Sequence, residues 1–392
     1  AMLAAPNVEA APYTWTSTAT GTLDWTTPGN WDASTPYVSG ASNELIIFSD
    51  ITTNIAAGAR SITSNVPATL SMNTLTLNGK GASSGASSSN ITIGSGASTW
   101  TIGDGTTSTV NLNGNFGATG AANIFYNVAA HLTLNQATTL FAGNGTAGVF
   151  NGANDPGFVF SGNIGEAAAG YGITKSGSSR LTLSGGSLTF TGPLTVNSGS
   201  LFLTGNSNPG FAMTVNTGAI LRIGNNTATQ IGTSGNYAGN ISTGTGGTLQ
   251  LWSTAAQEYS GIISGSGGIH KAYSGTLTLS GNNTYTGKTQ FIPQTASSFT
   301  VNVSSFDYVT SGDWANHGLG SSLGAPTTVA NGTIDVGSGA AQANVTLNYT
   351  GAGETTDRVL NISFNGTANQ TISASGSGLF TGPTKITAGT LS

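Results

Sequence analysis

The sequence contains no cysteine, which excludes disulfide bonds, thiolate metal sites and cysteine nucleophiles together. Charge is also scarce. Only 6% of the 392 residues are Asp, Glu, Lys or Arg, whereas ordinary soluble domains contain about 25%. Few groups remain for acid–base catalysis, and solubility has to come from hydroxyl and amide side chains.

Clusters of positive charge and long apolar runs are missing as well. Nine basic residues stand against fourteen acidic ones without forming a basic cluster, so we expect no nucleic-acid partner. No run approaches the ~18 apolar residues of a membrane-spanning helix, so we expect no transmembrane segment. His131, His270 and His317 lie too far apart for a metal pair, and no repeated calcium-binding nonapeptide occurs. We therefore predict no metal and no cofactor.

The chain is rich in glycine and in short apolar alternations. Glycine occupies 59 positions, and the 37% of hydrophobic residues are enough to build a core. Pairs such as Leu75/Leu77, Leu181/Leu183 and Leu277/Leu279 repeat with the period of two that buries one face of a strand. Clusters of Asn, Ser and Gly separate these pairs and are typical of turns. Because no stretch has a helical period, the sequence predicts an all-β protein.

The alternating pairs belong to a longer internal repeat. Gly172-Ile173-Thr174-Lys175, followed by Leu181 to Gly185, matches Gly268-Ile269-His270-Lys271, followed by Leu277 to Gly281, at an offset of 96 residues. Four coils of about 24 residues would fit this offset. Repeats of this kind favour a solenoid, in which each coil packs only on its neighbours. A multi-domain β-sandwich is the alternative, but the sequence has few hairpin signals.

One stretch resembles a known repeat. Residues Gly261 to Thr289 are similar to the autotransporter-associated β-strand repeat, also called the passenger-associated transport repeat, of bacterial surface proteins. Ser321 to Val336 and Tyr349 to Arg358 resemble other parts of the same family's architecture. The resemblance implies a right-handed parallel β-helix at the outer cell surface or outside the cell, after export. It carries no catalytic signature.

The predicted architecture has three parts. Residues 1–12 form a flexible N-terminal arm and a possible donor strand, 13–60 an N-terminal cap, and 61–392 the β-solenoid with a loop excursion near 304–320. The aromatic cap is assigned to Trp15, Trp25 and Trp31, which resemble the opening cap of the family and would cover the end of the core. At the other end, Ile386 and Leu391 are predicted to lie in an open C-terminal edge available for assembly.

Three further groups could carry chemistry. Gly281 to Thr289 resembles a phosphate-binding loop, but five residues separate its glycines where that motif requires four, so we interpret it as a coil corner. Glu354, Asp357 and Arg358 form the densest charged group, which would suit a polysaccharide-cleaving site but is more often structural. Trp314 and His317, with Asp307 and Asp313, occupy the excursion, as a glycan contact or as a cover over the core.

These observations leave three functional hypotheses. The first is a non-enzymatic extracellular structural protein, a fibre or surface-layer subunit that stacks head to tail with copies of itself. The second is an adhesin or passenger stalk that binds host or matrix glycans through Trp314 and His317. The third is a polysaccharide lyase or hydrolase with Asp357 in its site. Because charge is so scarce, we predict that the chain is not an enzyme and assign no catalytic residue.

Overall fold

The structure is a computed structural model, and it consists of two compact units, Ala1–Pro193 and Leu194–Ser392. Helical turns are short where the chain is described: Pro28–Asn30 and Asp32–Ser34 in the N-terminal unit and Val329–Gly332 in the C-terminal unit. The residues that the structure describes are 12–40, 42–49, 54–56, 58–81, 89–104, 108–112, 124–143, 158–207, 210–309, 320–338, 340, 342–364, 366–374, 379–380 and 384–386.

Strands of the N-terminal unit form three sheets in which the strand of each coil pairs in parallel with that of the next. The first sheet contains Pro12–Trp15, Glu44–Ile47, Thr74–Leu77, Ser108–Leu112, Thr138–Ala142 and Ile173–Ser176. The second contains Gly21–Asp24, Gly58–Ser64, Ser89–Ile93, Ile124–Val128, Phe158–Phe160 and Arg180–Leu183. The third contains Thr69–Met72, Thr99–Ile102, His131–Leu134 and Ile164–Glu166, and a small pair joins Asn54–Ile55 to Lys80–Gly81.

The C-terminal unit has the same organisation. Its first sheet contains Leu194–Val196, Met213–Val215, Ile241–Thr243 and Ile263–Gly265. Its second contains Ser200–Leu203, Ile220–Thr227, Thr248–Ser253, Gly268–Lys271, Thr289–Phe291, Ile334–Gly337, Leu360–Ser363 and Thr384–Ile386. Its third contains Asn236–Tyr237, Gln257–Tyr259, Leu277–Leu279, Phe299–Val303, Val345–Tyr349 and Gln370–Ala374, and Thr355–Thr356 pairs with Leu379–Phe380. Each unit is a parallel β-helix, as the sequence predicts.

Alternation along each strand sends every second side chain into the interior, where the side chains of successive coils stack in register. In the first sheet of the N-terminal unit, Leu45 pairs with Leu75, which pairs with Val110, which pairs with Leu140, and all four are fully buried. This stacking stabilises the fold through burial of apolar area, at about 25 cal/mol per Å².

Outward positions stack in the same way, but with polar side chains. In the third sheet of the C-terminal unit, the amide of Asn348 donates to Oδ1 of Asn302 at 3.0 Å, and the hydroxyl of Ser373 donates to Oδ1 of Asn348 at 2.8 Å. The amide of Asn302 in turn donates to the hydroxyl of Thr278 at 3.3 Å. Uncharged side chains can therefore join one coil to the next by hydrogen bonds, without placing like charges next to each other.

Coil length varies far more than the sequence repeat predicts. In the second sheet of the C-terminal unit, Ile269 pairs with Thr289, which closes a coil of 20 residues. Thr289 then pairs with Ile334, and that coil has 45 residues. The 45-residue coil contains the stretch 304–320, of which residues 310–319 lie outside the described part of the chain.

Columns of glycine mark some corners between sheets. A Cβ on Gly281 would collide with the carbonyl oxygen of Gly261, and a Cβ on Gly261 would collide with that of Gly239. These three glycines occupy equivalent corners of successive coils, so the backbone of one coil fills the space that a side chain in the next would need. Only glycine fits there.

Candidate functional site

Arg358, in the densest charged group, lies in the core of the C-terminal unit with 1% of its surface exposed. Its Nε donates to the carbonyl oxygen of Gly332 at 2.8 Å, and its Nη1 donates to those of Phe306 and Leu323 at 3.0 and 2.7 Å. Nη2 lies 3.5 Å from the hydroxyl of Thr289. The guanidinium therefore fastens three parts of the 45-residue coil to one another.

The acidic members of the same group bind main-chain N–H groups. Glu354 accepts a hydrogen bond from the N–H of Phe306, and Oδ1 of Asp357 accepts one from the N–H of Val309 at 2.6 Å. The hydroxyl of Thr356 donates to the carbonyl oxygen of Asp307 at 2.6 Å. These contacts attach residues 306–309 to the turn 354–358, and they match the structural interpretation of this group better than the catalytic one.

Burial governs the electrostatics of this cluster. It lowers the pKa of Arg358 to about 10, although the neighbouring Tyr285, Asp307, Asp357 and Glu354 favour the charged form. Burial also raises the pKa of Glu354, against the hydrogen bond from Phe306, which lowers it. The described residues contain no group of three or more His, Asp or Glu side chains placed to hold a metal ion.

The loop that resembles a phosphate-binding motif is bonded within the fold. The N–H groups of Thr284, Thr286 and Gly287 donate to the carbonyl oxygens of Ile263, Gly265 and Gly267 in the preceding coil. A phosphate-binding loop aims such N–H groups at its ligand instead. Within the described residues, the segment is a coil corner.

The three predicted cap tryptophans lie together. Trp15, Trp25 and Trp31 are 0%, 1% and 3% exposed, and the ring of Trp31 packs edge-on against those of Trp15 and Trp25, with centroids 5.1 and 4.9 Å apart. Trp25 also packs against Trp100 at 6.4 Å. Their burial leaves no open aromatic face for a sugar ring, and their role as a cap stays a prediction.

Most of the other predicted site residues are not among those that the structure describes. Trp314, His317 and Leu391 lie outside the described residues, as does Asp313, and Ile386 ends the strand Thr384–Ile386. Their roles in glycan contact and in assembly remain predictions. His270 is half-buried against Trp252, with ring centroids 5.5 Å apart, and burial lowers its pKa.

Sequence reasoning missed two lysines of the internal repeat. Lys271 takes an inward position in the second sheet of the C-terminal unit, between Leu251 and Phe291 of the adjacent coils. It is 3% exposed, and its Nζ donates to the carbonyl oxygens of Ser253, Ala272 and Ser274 at 2.9, 3.1 and 2.9 Å. The three N–H bonds of an ammonium match these three acceptors. Because Ser253 belongs to the preceding coil, Lys271 holds two coils together at a corner.

Lys175 stands at the matching position of the first sequence copy, but its strand Ile173–Ser176 lies in the first sheet of its unit and not in the second. It is fully buried in register with Leu140, and its Nζ donates to the carbonyl oxygen of Gly177 at 2.6 Å. Two residues after each lysine the chain turns through the left-handed region, at Gly177 with φ 80° and at Tyr273 with φ 62°. Burial lowers the pKa of both lysines to about 7. The signal was present in the sequence, since Lys175 and Lys271 each stand two positions after a buried isoleucine.

A family model described as passenger-associated-transport-repeat matches residues 173–203 and 269–291, which include both lysine corners. The two stretches are passenger-associated-transport repeats. The chain is also 33% identical over 210 residues to the adhesin BmaC autotransporter of Brucella suis biovar 1 (strain 1330). That match covers 54% of this chain and 5% of the relative, so the chain spans a small part of that protein's length. No solved structure matches the chain.

The passenger-associated-transport repeats and the similarity to an autotransporter adhesin identify the chain as a bacterial protein exported to the cell surface. The described residues include no apolar helix of membrane-spanning length. The repeats specify the corners of the β-helix, because their lysines, their left-handed turns and their inward aliphatic residues all serve packing between coils.

Proposed function

We propose that this chain is a non-catalytic passenger segment of a bacterial surface adhesin, a β-helix that displays binding loops outside the cell. The observation that carries the proposal is the use of the densest charged group. Arg358, Glu354 and Asp357 all bind main-chain atoms of the preceding coil, so they hold two coils of the scaffold together. The name of the relative, an adhesin autotransporter, supports a role in binding at the surface.

The 45-residue coil of the C-terminal unit is the best location for such a loop. Its neighbour needs only 20 residues to complete the same circuit, so this coil carries surplus chain. Binding residues are often placed on loops that a rigid scaffold positions. Residues before and after the surplus chain are anchored, since Val309 bonds to Asp357 and Ser321 pairs with Asn283. We propose Trp314 and His317, which lie between these anchors in sequence, as glycan contacts.

Binding by the purified chain to a glycan array and to extracellular-matrix proteins tests this function. We expect saturable binding that falls about tenfold or more in Trp314→Ala, the usual loss for an aromatic anchor. Lys288→Ala is the matched control, because Lys288 is an exposed corner residue of the neighbouring coil. A flat array together with no matrix binding would reject the adhesin. Glycan cleavage that is lost in Asp357→Asn would show an enzyme instead.

A head-to-tail filament is the second candidate. Edge strands of parallel sheets can accept strands from other chains, and Pro12–Trp15 is the edge strand of the first sheet in the N-terminal unit. That edge is partly covered, because Trp15 also forms an antiparallel bridge with Trp31. Negative-stain electron microscopy at high protein concentration distinguishes the candidates, since dispersed single molecules would count against a filament.

A further inference from the structure

A row of long polar side chains runs along the outer face of the second sheet in the C-terminal unit. Strand pairing aligns these side chains in successive coils, and all of them are partly exposed. This polar row consists of Arg222, Gln250, His270, Gln290, Asp335 and Asn361. Each member ends in a planar group that donates or accepts hydrogen bonds. The corresponding outward positions of the first sheet, from Thr195 to Ser264, carry only Thr or Ser, so the fold does not require such long polar side chains.

Hydrogen bonds join members of the polar row at both of its ends. Nε of Arg222 donates to Oε1 of Gln250 at 2.6 Å. The amide of Gln290 donates to Oδ2 of Asp335 at 3.4 Å, and the amide of Asn361 donates to Oδ1 of the same carboxylate at 2.7 Å. These bonds orient the side chains at the ends and leave polar groups over in the middle.

Three polar atoms in the middle of the row have no partner among the described residues. Gln250 keeps the N–H groups of its amide, because only its oxygen is bonded. Gln290 keeps its oxygen, because only its amide nitrogen is bonded. Nε2 of His270 lies 3.1 Å from the carbonyl oxygen of Ile292, so Nε2 carries the proton of the neutral ring and Nδ1 is an acceptor. None of these three atoms is enclosed by the protein, so a ligand on this face can reach them.

An aromatic pair lies beside His270. The ring of Trp252 packs edge-on against His270 and against Tyr273, with centroids 5.5 and 5.4 Å apart. Tyr273 is partly exposed and has φ 62°, a left-handed conformation that is unfavourable for residues other than glycine. The first copy of the repeat has Gly177 at this position of the sequence. Because strained residues cluster at ligand-binding sites, an aromatic ring kept in this conformation also favours a ligand here.

These features fit a neutral polysaccharide. Successive coils are about 4.8 Å apart, similar to the length of one sugar unit in an extended chain. Sugar hydroxyls both donate and accept, as the open N–H groups of Gln250 and the open acceptors of His270 and Gln290 require. Aromatic rings pack against the apolar faces of sugar rings. Arg222 and Asp335 flank the middle of the row with opposite charges, so the row has no net charge that would attract a polyanion.

We propose that the polar row is a binding site for an extended neutral polysaccharide that lies along the stacked coils, with Gln250, His270 and Gln290 as its central contacts. The proposal rests on the proposed adhesin function and gives it a glycan contact on the sheet itself, apart in sequence from Trp314 and His317.

An array of neutral, sialylated and sulfated oligosaccharides tests this site on the full chain. Gln250→Ala and Gln290→Ala each remove one open group, and we expect each to weaken binding to neutral oligosaccharides by about three- to tenfold, the usual worth of one hydrogen bond. Asn348→Ala is the matched control, because Asn348 faces outward in the third sheet with its amide and its oxygen both bonded. This control should bind as the unaltered chain does.

The outcomes separate this site from the adhesin function. Neutral-glycan binding that Gln250→Ala and Gln290→Ala both leave unchanged would overturn the site, and loss of that binding in Trp314→Ala would still support the adhesin. Binding restricted to sialylated or sulfated glycans would overturn the site as well, since the row has no net charge. A flat array would also overturn it, whereas the adhesin is rejected only if matrix binding is absent too.

Chemical labelling of the unaltered chain decides the question if a variant fails to fold. Diethyl pyrocarbonate modifies accessible imidazole nitrogens, and mass spectrometry of peptides separates His270 from His131, the internal control in the N-terminal unit. We expect a saturating amount of the neutral oligosaccharide that the array selects to suppress most of the labelling of His270 and to leave that of His131 unchanged. A His270 that is not labelled in the free chain, or whose labelling the oligosaccharide does not lower, would refute the site.

Discussion

The two copies of the repeat build similar lysine corners in different sheets and with different residues. In the first, Lys175 is followed two positions later by Gly177, and in the second Lys271 is followed by Tyr273, both in the left-handed region. A Cβ on Gly177 would collide with the carbonyl oxygen of Ala142, whereas Tyr273 packs its ring against Trp252 with centroids 5.4 Å apart. The lysine and the backbone turn are therefore the common element, and the neighbouring coil decides which side chain the turn can carry.

Removing a corner lysine should lower the free energy of unfolding more than any other change at these two corners. Lys271→Ala leaves the carbonyl oxygens of Ser253, Ala272 and Ser274 without their donor and opens a cavity, so we expect a loss of about 3–5 kcal/mol in the free energy of unfolding. Urea unfolding followed by circular dichroism measures it. Lys288→Ala, at an exposed corner position, is the control and should change stability by less than about 0.5 kcal/mol. Equal effects of the two changes would disprove the role of Lys271.

Gly177→Ala tests the turn of the first copy. The left-handed conformation costs a non-glycine residue about 1–2 kcal/mol, and the contact with Ala142 adds overpacking of about 1–3 kcal/mol. Gly218 is the matched control, because it has φ 70° and nothing within 4 Å of an added Cβ. Gly218→Ala should show the conformational cost alone. If both glycines gave the same loss in urea unfolding, crowding by the neighbouring coil would play no part.

Dependence on pH tests whether the two lysines share one environment. Their pKa values fall to about 7 in the folded chain from an ordinary 10.5. Above pH 7 the unfolded chain binds more protons than the folded one, so stability is flat below pH 7 and rises from there toward 10.5. We expect a gain on the order of 1–2 kcal/mol per lysine by pH 9.5, below the ordinary tyrosine pKa of about 10. Urea midpoints measured from pH 6 to pH 9.5 would show it.

Replacing each lysine with Met, alone and together, separates the two contributions to this pH dependence. Each single variant should lose about half of the slope of unfolding free energy against pH, and the double variant should lose all of it. A slope that survives in the double variant would assign the titration to other groups.

Tyr273→Gly should have the smallest effect. Glycine relieves the left-handed strain, a gain of about 1 kcal/mol, but gives up the packing of the tyrosine ring on Trp252. We expect a net change within about 1 kcal/mol of zero, measured by urea unfolding. Destabilisation as large as that of Gly177→Ala would mean that the second corner depends on its aromatic contact instead of its backbone turn.

Much of this architecture follows from the sequence, because period-two alternation fixes which residues face the core. Leu181/Leu183 and Leu277/Leu279 are buried strand positions, as predicted. The same rule places Lys175 and Lys271 inside, since each follows a buried isoleucine by two positions, yet lysine is usually exposed. Their carbonyl partners come from turns and from other coils, whose positions a local pattern cannot supply.

Coil length was beyond prediction for a physical reason. Register is set by strand pairing, and chain added between strands costs little, about 0.6 kcal/mol for each doubling of a flexible loop. A 20-residue coil and a 45-residue coil can thus be neighbours in one stack. The spacing of 96 residues between repeat copies therefore does not measure a fixed number of equal coils.

The column formed by Gly239, Gly261 and Gly281 has a consequence for how such a chain can diverge. A Cβ on Gly261 or Gly281 would collide with a carbonyl oxygen of the coil before it, and a Cβ on Gly239 would collide with the ring of Tyr237, so a point mutation at any of the three meets a steric barrier. A duplication or deletion of one entire coil keeps every corner next to an equivalent corner. We expect relatives of this segment to differ in their number of coils more readily than in the residues at these corners.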